Sequence, residues 1–219
     1  MAGQPFKVTV IPVTPFQQNC SLVSCTATNK AAIVDPGGDL DIIEEVVRKA
    51  GVKVEKIIVT HGHIDHAGGA AELAERLKVP VVGPHKDDQV LLDQLPTLGL
   101  QFGIAGARTL TPSEYLDDGD QVRIGNLTFE IRHVPGHSPG HVVLISEDHR
   151  FAIVGDTLFQ GSIGRTDFPF SDHDALIRSI TEKLLTLHDD VTLLPGHGGA
   201  TTIGQERRTN PYLQEARRA

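Results

Sequence analysis

Residues 60–69 carry four side chains of the kinds that bind metal ions, within six consecutive positions: His61, His63, Asp65 and His66. Neutral imidazole nitrogens and carboxylate oxygens are ligands of zinc, and they also suit iron or manganese. A polar loop with solvent-facing side chains is the alternative, and for a single histidine it is the usual interpretation. Four potential ligands so close together favour a metal site.

This segment lies between a predicted strand and a predicted helix. Residues 54–59 are a short apolar run rich in β-branched side chains, and residues 70–77 carry apolar side chains at helical spacing. A regular strand would send His63 and His66 to opposite faces, whereas a loop can fold all four ligands towards one point. We therefore predict a strand-to-helix loop that can serve two adjacent metal ions.

Three later strand ends each carry one more candidate ligand. His137 and His197 both follow a Pro-Gly pair, and Asp156 follows Gly155. A histidine after Pro-Gly is by itself most often a turn residue, but active sites collect on loops that a rigid scaffold holds. The matching positions of the three residues predict that they complete one composite metal site.

The remaining sequence predicts strands followed by helices, twice over. Strands are predicted at 7–13, 21–23, 31–34, 79–82, 121–124, 127–133, 141–146, 150–154 and 191–194, and helices at 40–50, 86–94, 171–187 and 202–208. Asp39 and Ser171 are the predicted N-caps of two of these helices. Residues 96–112 form a connection without a predicted element. This order predicts a mixed α/β fold in which two sheets pack together with helices outside.

Length and charge limit the possible organisation and partners. With 219 residues, 39% of them hydrophobic, the chain can bury a sizeable core as one domain spanning 1–219. The net charge of −8 argues against a nucleic acid or an anionic membrane as partner. It does not exclude anionic substrates, because two bound divalent ions would reverse the local charge.

The cysteines and the N-terminus bear on the cellular compartment. Cys20 and Cys25, the only two cysteines, would point to opposite faces of an extended segment, so we predict no disulfide between them. Residues 1–7 lack the apolar region of a signal peptide, and no later run is long enough to span a bilayer. We expect a soluble, cytoplasmic protein.

The order and context of the seven candidate ligands resemble the metallo-β-lactamase-fold superfamily along nearly the whole chain. Within it, residues 155–159 (Gly-Asp-Thr-Leu-Phe) and 164–168 (Gly-Arg-Thr-Asp-Phe) resemble the glyoxalase II group, the hydroxyacylglutathione hydrolases, especially its short single-domain bacterial members. This resemblance implies a four-layer αβ/βα sandwich. It also implies two metal sites: His61, His63 and His137 at the first, Asp65, His66 and His197 at the second, and Asp156 bridging them.

The resemblance implies a hydrolase of glutathione thioesters such as S-lactoylglutathione. Two divalent ions, zinc being expected and iron or manganese possible, would hold a hydroxide between them, because shared coordination lowers the pKa of water to near 7. That hydroxide would attack the thioester carbonyl, releasing a hydroxy acid and glutathione. Asp65 and Asp156 are the predicted catalytic carboxylates. No serine or cysteine nucleophile is needed.

Two features of the sequence leave the identity of the substrate undetermined. Longer glyoxalase II enzymes carry a C-terminal helical domain and a tyrosine soon after the last ligand, whereas here residues 198–200 (Gly-Gly-Ala) follow His197. Residues 164–168 and 206–211 also resemble the persulfide dioxygenases of the same superfamily, which use a single iron and keep the same ligands. A glutathione persulfide dioxygenase is therefore the alternative. A lactamase is disfavoured by the expected lack of a signal peptide. A nuclease is disfavoured by the expected lack of a basic face.

Several polar side chains outside the set of seven candidate ligands also have predicted roles. Arg165 is the first candidate for binding a substrate carboxylate, and Arg207 and Arg208 are further candidates. His133 and His141 are expected to contact ligands or stabilise the fold, and Asp35 to fix a turn or orient a ligand imidazole. Four more histidines are predicted to face solvent: His85, His149, His173 and His188.

Overall fold

The computed structural model describes residues 5–216. Residues 1–4, part of the segment in which the sequence predicts no signal peptide, lie outside the described residues, as do residues 217–219. The first sheet has the order β1-β2-β3-β4-β5. Its strands are β1 (Phe6–Val13), β2 (Gln18–Cys25), β3 (Lys30–Val34), β4 (Lys53–Ile58) and β5 (Val81–Val82). The first three strands pair antiparallel, and β3, β4 and β5 pair parallel.

The second sheet has six strands in the order β13-β12-β9-β8-β7-β6. They are β6 (Gln121–Ile124), β7 (Leu127–His133), β8 (Val142–Ser146), β9 (Phe151–Gly155), β12 (Thr192–Pro195) and β13 (Thr201–Thr202). Only β9 and β12 pair parallel in this sheet. A small ribbon joins β10 (Leu158–Phe159) and β11 (Ser162–Ile163).

The helices flank the sheets. They are α1 (Leu40–Ala50), α2 (Ile64–Ala67), α3 (Ala70–Leu77), α4 (Gln89–Leu92), α5 (Leu95–Phe102), α6 (His173–Ser179), α7 (Ile203–Thr209) and α8 (Pro211–Ala216). Leu40 and Ile43 of α1 are buried, whereas Ile42 is exposed, so the buried apolar stripe of this helix does not include Ile42. None of these helices, within residues 5–216, is long and apolar enough to cross a membrane.

Three apolar cores separate four layers. The first lies between the first sheet and α1 and α3, and contains Ile33 and Leu73. The second lies between the two sheets and contains Phe129. The third packs the second sheet against α6 and contains Leu176. The predicted αβ/βα sandwich is therefore confirmed.

The cysteines lie on opposite faces of β2, as predicted. Cys20 is buried in the first core and Cys25 in the second, and neither forms a disulfide. Alternate residues of a strand point to opposite sides of its sheet, and positions separated by five residues therefore diverge. The prediction that they remain unpaired is confirmed.

One predicted N-cap is confirmed in position only, and the other is wrong. Asp39 is the N-cap residue of α1, but its backbone is left-handed, with φ 51, and its side chain caps no helix N–H; the carboxylate instead accepts a hydrogen bond from the Thr14 N–H at 2.7 Å. Asp172 rather than Ser171 caps α6, accepting from the Ala175 N–H at 2.9 Å. The Ser171 hydroxyl donates to the His137 carbonyl at 2.8 Å. Each side chain is used by a tertiary contact that the local sequence does not indicate.

The predicted helix at 86–94 is wrong in its extent. A 3₁₀ turn (Lys86–Asp88) comes first, and α4 covers four residues only. Helix α5 follows, inside the connection that carries no predicted element, with Pro96 near its start, where a missing N–H costs nothing. Asp88 lies at this break, and its side chain is fully buried.

Candidate metal centre

The seven predicted ligands meet at one edge of the two sheets, where β4, β9 and β12 end. One ligand atom from each of His61, His63 and His137 lies within 4.8 Å of the others. A second group with the same spacing contains Asp65, His66 and His197. The structure therefore brings together the two sets of candidate ligands that the family resemblance implies.

Asp156 lies between the two groups. Its Oδ2 is 3.7 Å from His137 Nε2 and 3.6 Å from His197 Nε2, and its Oδ1 is 3.4 Å from His66 Nε2. On the second side, Asp65 Oδ2 is 3.1 Å from His197 Nε2. One carboxylate therefore faces ligands of both groups, which is the placement that a bridging ligand needs.

The short helix α2 divides the first ligand segment. His61 and His63 precede it on an irregular turn, whereas Asp65 and His66 lie on its first turn. This explains how ligands two to five positions apart reach both groups. Gly196 is needed where β12 ends, because a Cβ there would lie 2.1 Å from Asp156 Oδ1 and 2.5 Å from the His66 ring.

Backbone carbonyls set the orientation of two ligand imidazoles. His137 Nδ1 lies 2.8 Å from the Arg165 carbonyl oxygen, and His197 Nδ1 lies 3.2 Å from that of Phe16. A carbonyl only accepts, so each Nδ1 carries the hydrogen and donates it. In the neutral form of each ring Nε2 therefore carries no proton and faces the centre, as metal-binding histidines require.

Asp35 and Thr60 orient two further imidazoles, those of His66 and His61. Asp35 Oδ2 accepts from His66 Nδ1 at 2.9 Å and from the Thr60 hydroxyl at 2.6 Å, and Asp35 Oδ1 accepts from the Thr60 N–H at 2.7 Å. The Thr60 oxygen in turn lies 3.0 Å from His61 Nδ1. Asp35 therefore orients a ligand imidazole, one of the two roles that the sequence suggests for it.

Burial keeps three of the imidazoles neutral. It lowers the pKa of His61 well below its ordinary value and that of His63 to about 3, and the neighbouring histidines act in the same direction. Burial also lowers the pKa of His137. A neutral imidazole can bind a metal ion without first losing a proton.

The carboxylates around His66 favour positive charge at the centre. Burial lowers the pKa of His66, but Asp156 and Asp65 outweigh it and raise this pKa well above its ordinary value. Burial raises the pKa of Asp156 and of Asp65, but His66 outweighs it and leaves both below their ordinary values. The centre therefore stabilises a cation.

Three atoms of candidate ligands are buried without a hydrogen-bond partner among the described residues: His61 Nε2, His66 Nε2 and Asp156 Oδ1. Buried polar atoms without a partner are costly, and each such atom in a native structure calls for an explanation. All three atoms belong to residues of the candidate centre, where a bound cation would give them a partner. The donor set and its charge therefore fit divalent metal ions.

A sequence model described as the metallo-beta-lactamase superfamily matches residues 13–197. This chain belongs to that superfamily. A Haemophilus influenzae protein named hydroxyacylglutathione hydrolase GloC is 42% identical to it over 207 residues, which are 94% of this chain and 97% of that protein.

Solved structures similar to this chain have the same fold. The structure of TTHA1623 in a di-iron-bound form has a TM-score of 0.85 at 35% identity, and the match covers 94% of this chain and 100% of that chain. The structure of BLEG-1 B3 metallo-beta-lactamase has a TM-score of 0.83 at 35% identity, covering 95% and 99%.

The outer histidines of this superfamily member differ in their environments. His141 Nε2 accepts from the Asp156 N–H at 3.0 Å, and its ring stacks on that of His61 at 4.6 Å between centroids, in keeping with an outer contact. The prediction for His85 is wrong, because its ring is buried and stacks on His133 at 4.1 Å. His149 is half-buried against Phe6. The remaining two are exposed, as predicted: His173 and His188.

The candidate substrate-binding arginines have partners within the protein. Arg165 forms a bidentate pair with Asp167 at 2.9 and 2.7 Å, and its guanidinium lies 4.3 Å from the centre of the Phe168 ring. Phe168 is 5.3 Å from the His63 ring between centroids, so Arg165 lies near the metal centre.

Arg207 and Arg208 both contact Asp189. Arg207 also donates to the Leu187 carbonyl at 2.8 Å. These contacts connect α7 to the segment that precedes β12. A role of either arginine in substrate binding stays a prediction.

Three polar side chains that the sequence interpretation did not single out contact the ligand segments: Gln18, Asn19 and Asp88. Gln18 Nε2 lies 3.3 Å from His66 Nδ1, and Asn19 and Asp88 bind the backbone beside other ligands. Gln18 and Asn19 are polar residues that open an apolar strand, which is the one available signal. Asp88 lies in a charged run that is typical of a solvent-exposed surface.

Proposed function

We propose that this protein is a binuclear metal-dependent hydrolase that cleaves glutathione thioesters, such as S-lactoylglutathione, to a hydroxy acid and glutathione. The observation that carries the proposal is the pair of ligand groups that Asp156 connects. The similarity to the protein named hydroxyacylglutathione hydrolase GloC supports hydrolase activity. It also supports the narrower proposal that the substrate is a thioester. In this proposal the whole chain acts as one cytoplasmic domain on a small molecule.

The ligand groups define which residues would hold each ion. His61, His63 and His137 would bind the first ion. A second set would bind the other: Asp65, His66 and His197. Asp156 would contribute one carboxylate to both. We propose zinc as the metal, because imidazole and carboxylate suit it; the di-iron form of TTHA1623 supports iron as the alternative, and manganese suits the same ligands.

When bound, divalent ions would lower the pKa of coordinated water towards 7 and polarise a substrate carbonyl. The protein contributes neutral imidazoles with fixed orientation and ionised carboxylates, Asp65 and Asp156, whose negative charge retains the cations.

No cysteine of the chain competes as a nucleophile. Burial, and then the charge of Asp35, raises the pKa of the Cys20 thiol well above its ordinary value. Burial also raises the pKa of Cys25, but hydrogen bonds led by that of Thr28 outweigh it and lower this pKa. The Cys25 side chain, however, lies in the core between the sheets, at the end of β2 opposite Gln18, which contacts His66. The Ser138 hydroxyl, next to a ligand histidine, donates to Asp88 at 2.8 Å. These contacts support attack by water on the thioester rather than by a side chain.

Arg165 is the proposed contact for a carboxylate of the glutathione group. Its side chain is 66% exposed, and exchanging Asp167 for a substrate carboxylate would preserve bidentate pairing. Arg207 and Arg208 stay secondary candidates, since Asp189 already binds both guanidiniums.

Metal analysis with parallel assays tests the proposal. Purified protein is assayed for hydrolysis of S-lactoylglutathione, for oxygen consumption with glutathione persulfide, and for hydrolysis of a β-lactam. We expect two metal ions per chain and thioester hydrolysis without oxygen consumption. One iron per chain with oxygen consumption would instead establish the mono-iron persulfide dioxygenase, which the resemblance of residues 164–168 and 206–211 favours as the alternative. Turnover of the β-lactam alone would reject both.

A further inference from the structure

The Asp88 carboxylate connects two ligand segments. Its Oδ2 accepts from the Gly62 N–H at 2.7 Å and from the Ser138 hydroxyl at 2.8 Å, and its Oδ1 accepts from the Gly140 N–H at 2.5 Å. The side chain is fully buried. Hydrogen bonds to an ionised acceptor are about twice as strong as neutral ones. One buried carboxylate therefore holds two loops that are more than seventy positions apart in sequence.

The loops that Asp88 joins carry the three ligands of the first group. Gly62 lies between His61 and His63, and Ser138 directly follows His137. The packing is close as well: a Cβ at Gly140 would lie 2.5 Å from the Asp88 nitrogen. Displacing Asp88 would therefore move the backbone beside all three candidate ligands of the first group, whereas its three side-chain hydrogen bonds involve none of the second group.

Asn19 holds the second group in a corresponding way. Its Nδ2 donates to the Pro195 carbonyl at 3.0 Å and to the Gly198 carbonyl at 2.9 Å, and its backbone N–H donates to the Gly196 carbonyl at 2.7 Å. All three acceptors flank His197 in sequence. Both side-chain partners only accept, so the orientation of the amide is determined.

We propose that Asp88 and Asn19 are positioning residues, each of which fixes the ligand segments of one metal site independently of the other. Asp88 acts on the site of His61, His63 and His137, and Asn19 acts on the site that contains His197. This inference rests on the proposed binuclear centre, but it does not depend on the substrate.

Two substitutions of nearly unchanged size test it: Asp88→Asn and Asn19→Asp. Asp88→Asn turns an acceptor into an amide that faces N–H or O–H donors. Asn19→Asp places a carboxylate against two carbonyl oxygens. Each variant serves as the matched control for the other, because both change one atom beside one site.

The measurement is titration of the metal-free protein with Co²⁺, followed by absorption spectroscopy and by competition with a chelator. His63→Ala and His197→Ala identify which spectral band belongs to which site. We expect Asp88→Asn to weaken binding at the first site by about 10- to 100-fold, the effect typical of residues that orient ligands, with the second site unchanged. Asn19→Asp should show the reverse pattern.

Equal weakening at both sites in either variant, or unchanged affinity at both, would overturn the proposal. Circular dichroism and urea unfolding of the metal-free variants separate loss of fold from loss of positioning. Should Asp88→Asn fail to fold, Ser138→Ala removes only one of the three contacts and should still weaken the first site alone; an unchanged first site there would also reject the role of Asp88. The titration contains no thioester, so a failure of the proposed substrate leaves its outcome intact.

Discussion

Replacing Asp35 by asparagine should lower the free energy of unfolding far more than the loss of an equally short contact at the surface would. The carboxylate is buried, with 2% of the residue exposed, and it accepts three hydrogen bonds from His66 and Thr60. Asparagine retains the shape and tolerates the left-handed backbone at this position, where φ is 54. The substitution therefore isolates the loss of acceptor capacity.

The magnitude follows from the donors that lose an acceptor. In Asp35→Asn, one oxygen can still accept from the Thr60 N–H, but the new amide group faces the His66 Nδ1–H and the Thr60 hydroxyl. Each buried donor left unsatisfied costs about 1–3 kcal/mol, so we expect a loss of about 2–6 kcal/mol in the free energy of unfolding. Because His66 loses its orientation, binding at the second metal site should also weaken by about 10- to 100-fold.

Urea unfolding in the presence of a chelator measures the first effect, and metal titration measures the second. Asp41→Ala is the matched control: Asp41 accepts from Arg76 at 2.7 Å, but its side chain is 91% exposed. Exposed ion pairs contribute about 0–1 kcal/mol, so this variant should unfold almost as the wild type does. Losses of similar size in the two variants would refute the argument from burial.

Three further outcomes are expected. His197→Ala should remove the second metal ion and most thioester hydrolysis, measured by metal stoichiometry and kcat together; a variant that retains full hydrolysis with one ion would contradict the binuclear proposal. Arg165→Ala should raise KM for the glutathione thioester and leave a small neutral thioester unaffected, and equal loss with both substrates would make Arg165 structural. Burial lowers the pKa of His133, so the stability that its neutral ring contributes is present above the ordinary pKa of about 6.5 and is lost as the pH falls below it. His133→Gln should therefore flatten the pH dependence of the unfolding free energy below about pH 6.5, which urea titrations at several pH values would detect, and an unchanged slope would contradict it.

Residue type and spacing predict seven candidate ligands and most of the elements. The strand and helix periods appear in β4 and α3 on either side of the first ligand segment, because burial of one face constrains neighbouring residues directly. The ligands stand out because histidine and aspartate at strand ends are chemically unusual in an apolar context. The two groups and the position of Asp156 between them agree with the arrangement that the family resemblance implies.

The tertiary structure decided what supports those ligands. Asp88 reaches Gly140 across 52 positions, and Asn19 reaches Pro195 across 176, and no local pattern distinguishes either from a surface polar residue. The same is true of His85, which the second sheet buries against His133. Local periodicity reports which face of an element is apolar, but the packing of the two sheets determines which polar side chains are enclosed between the loops that carry the ligands.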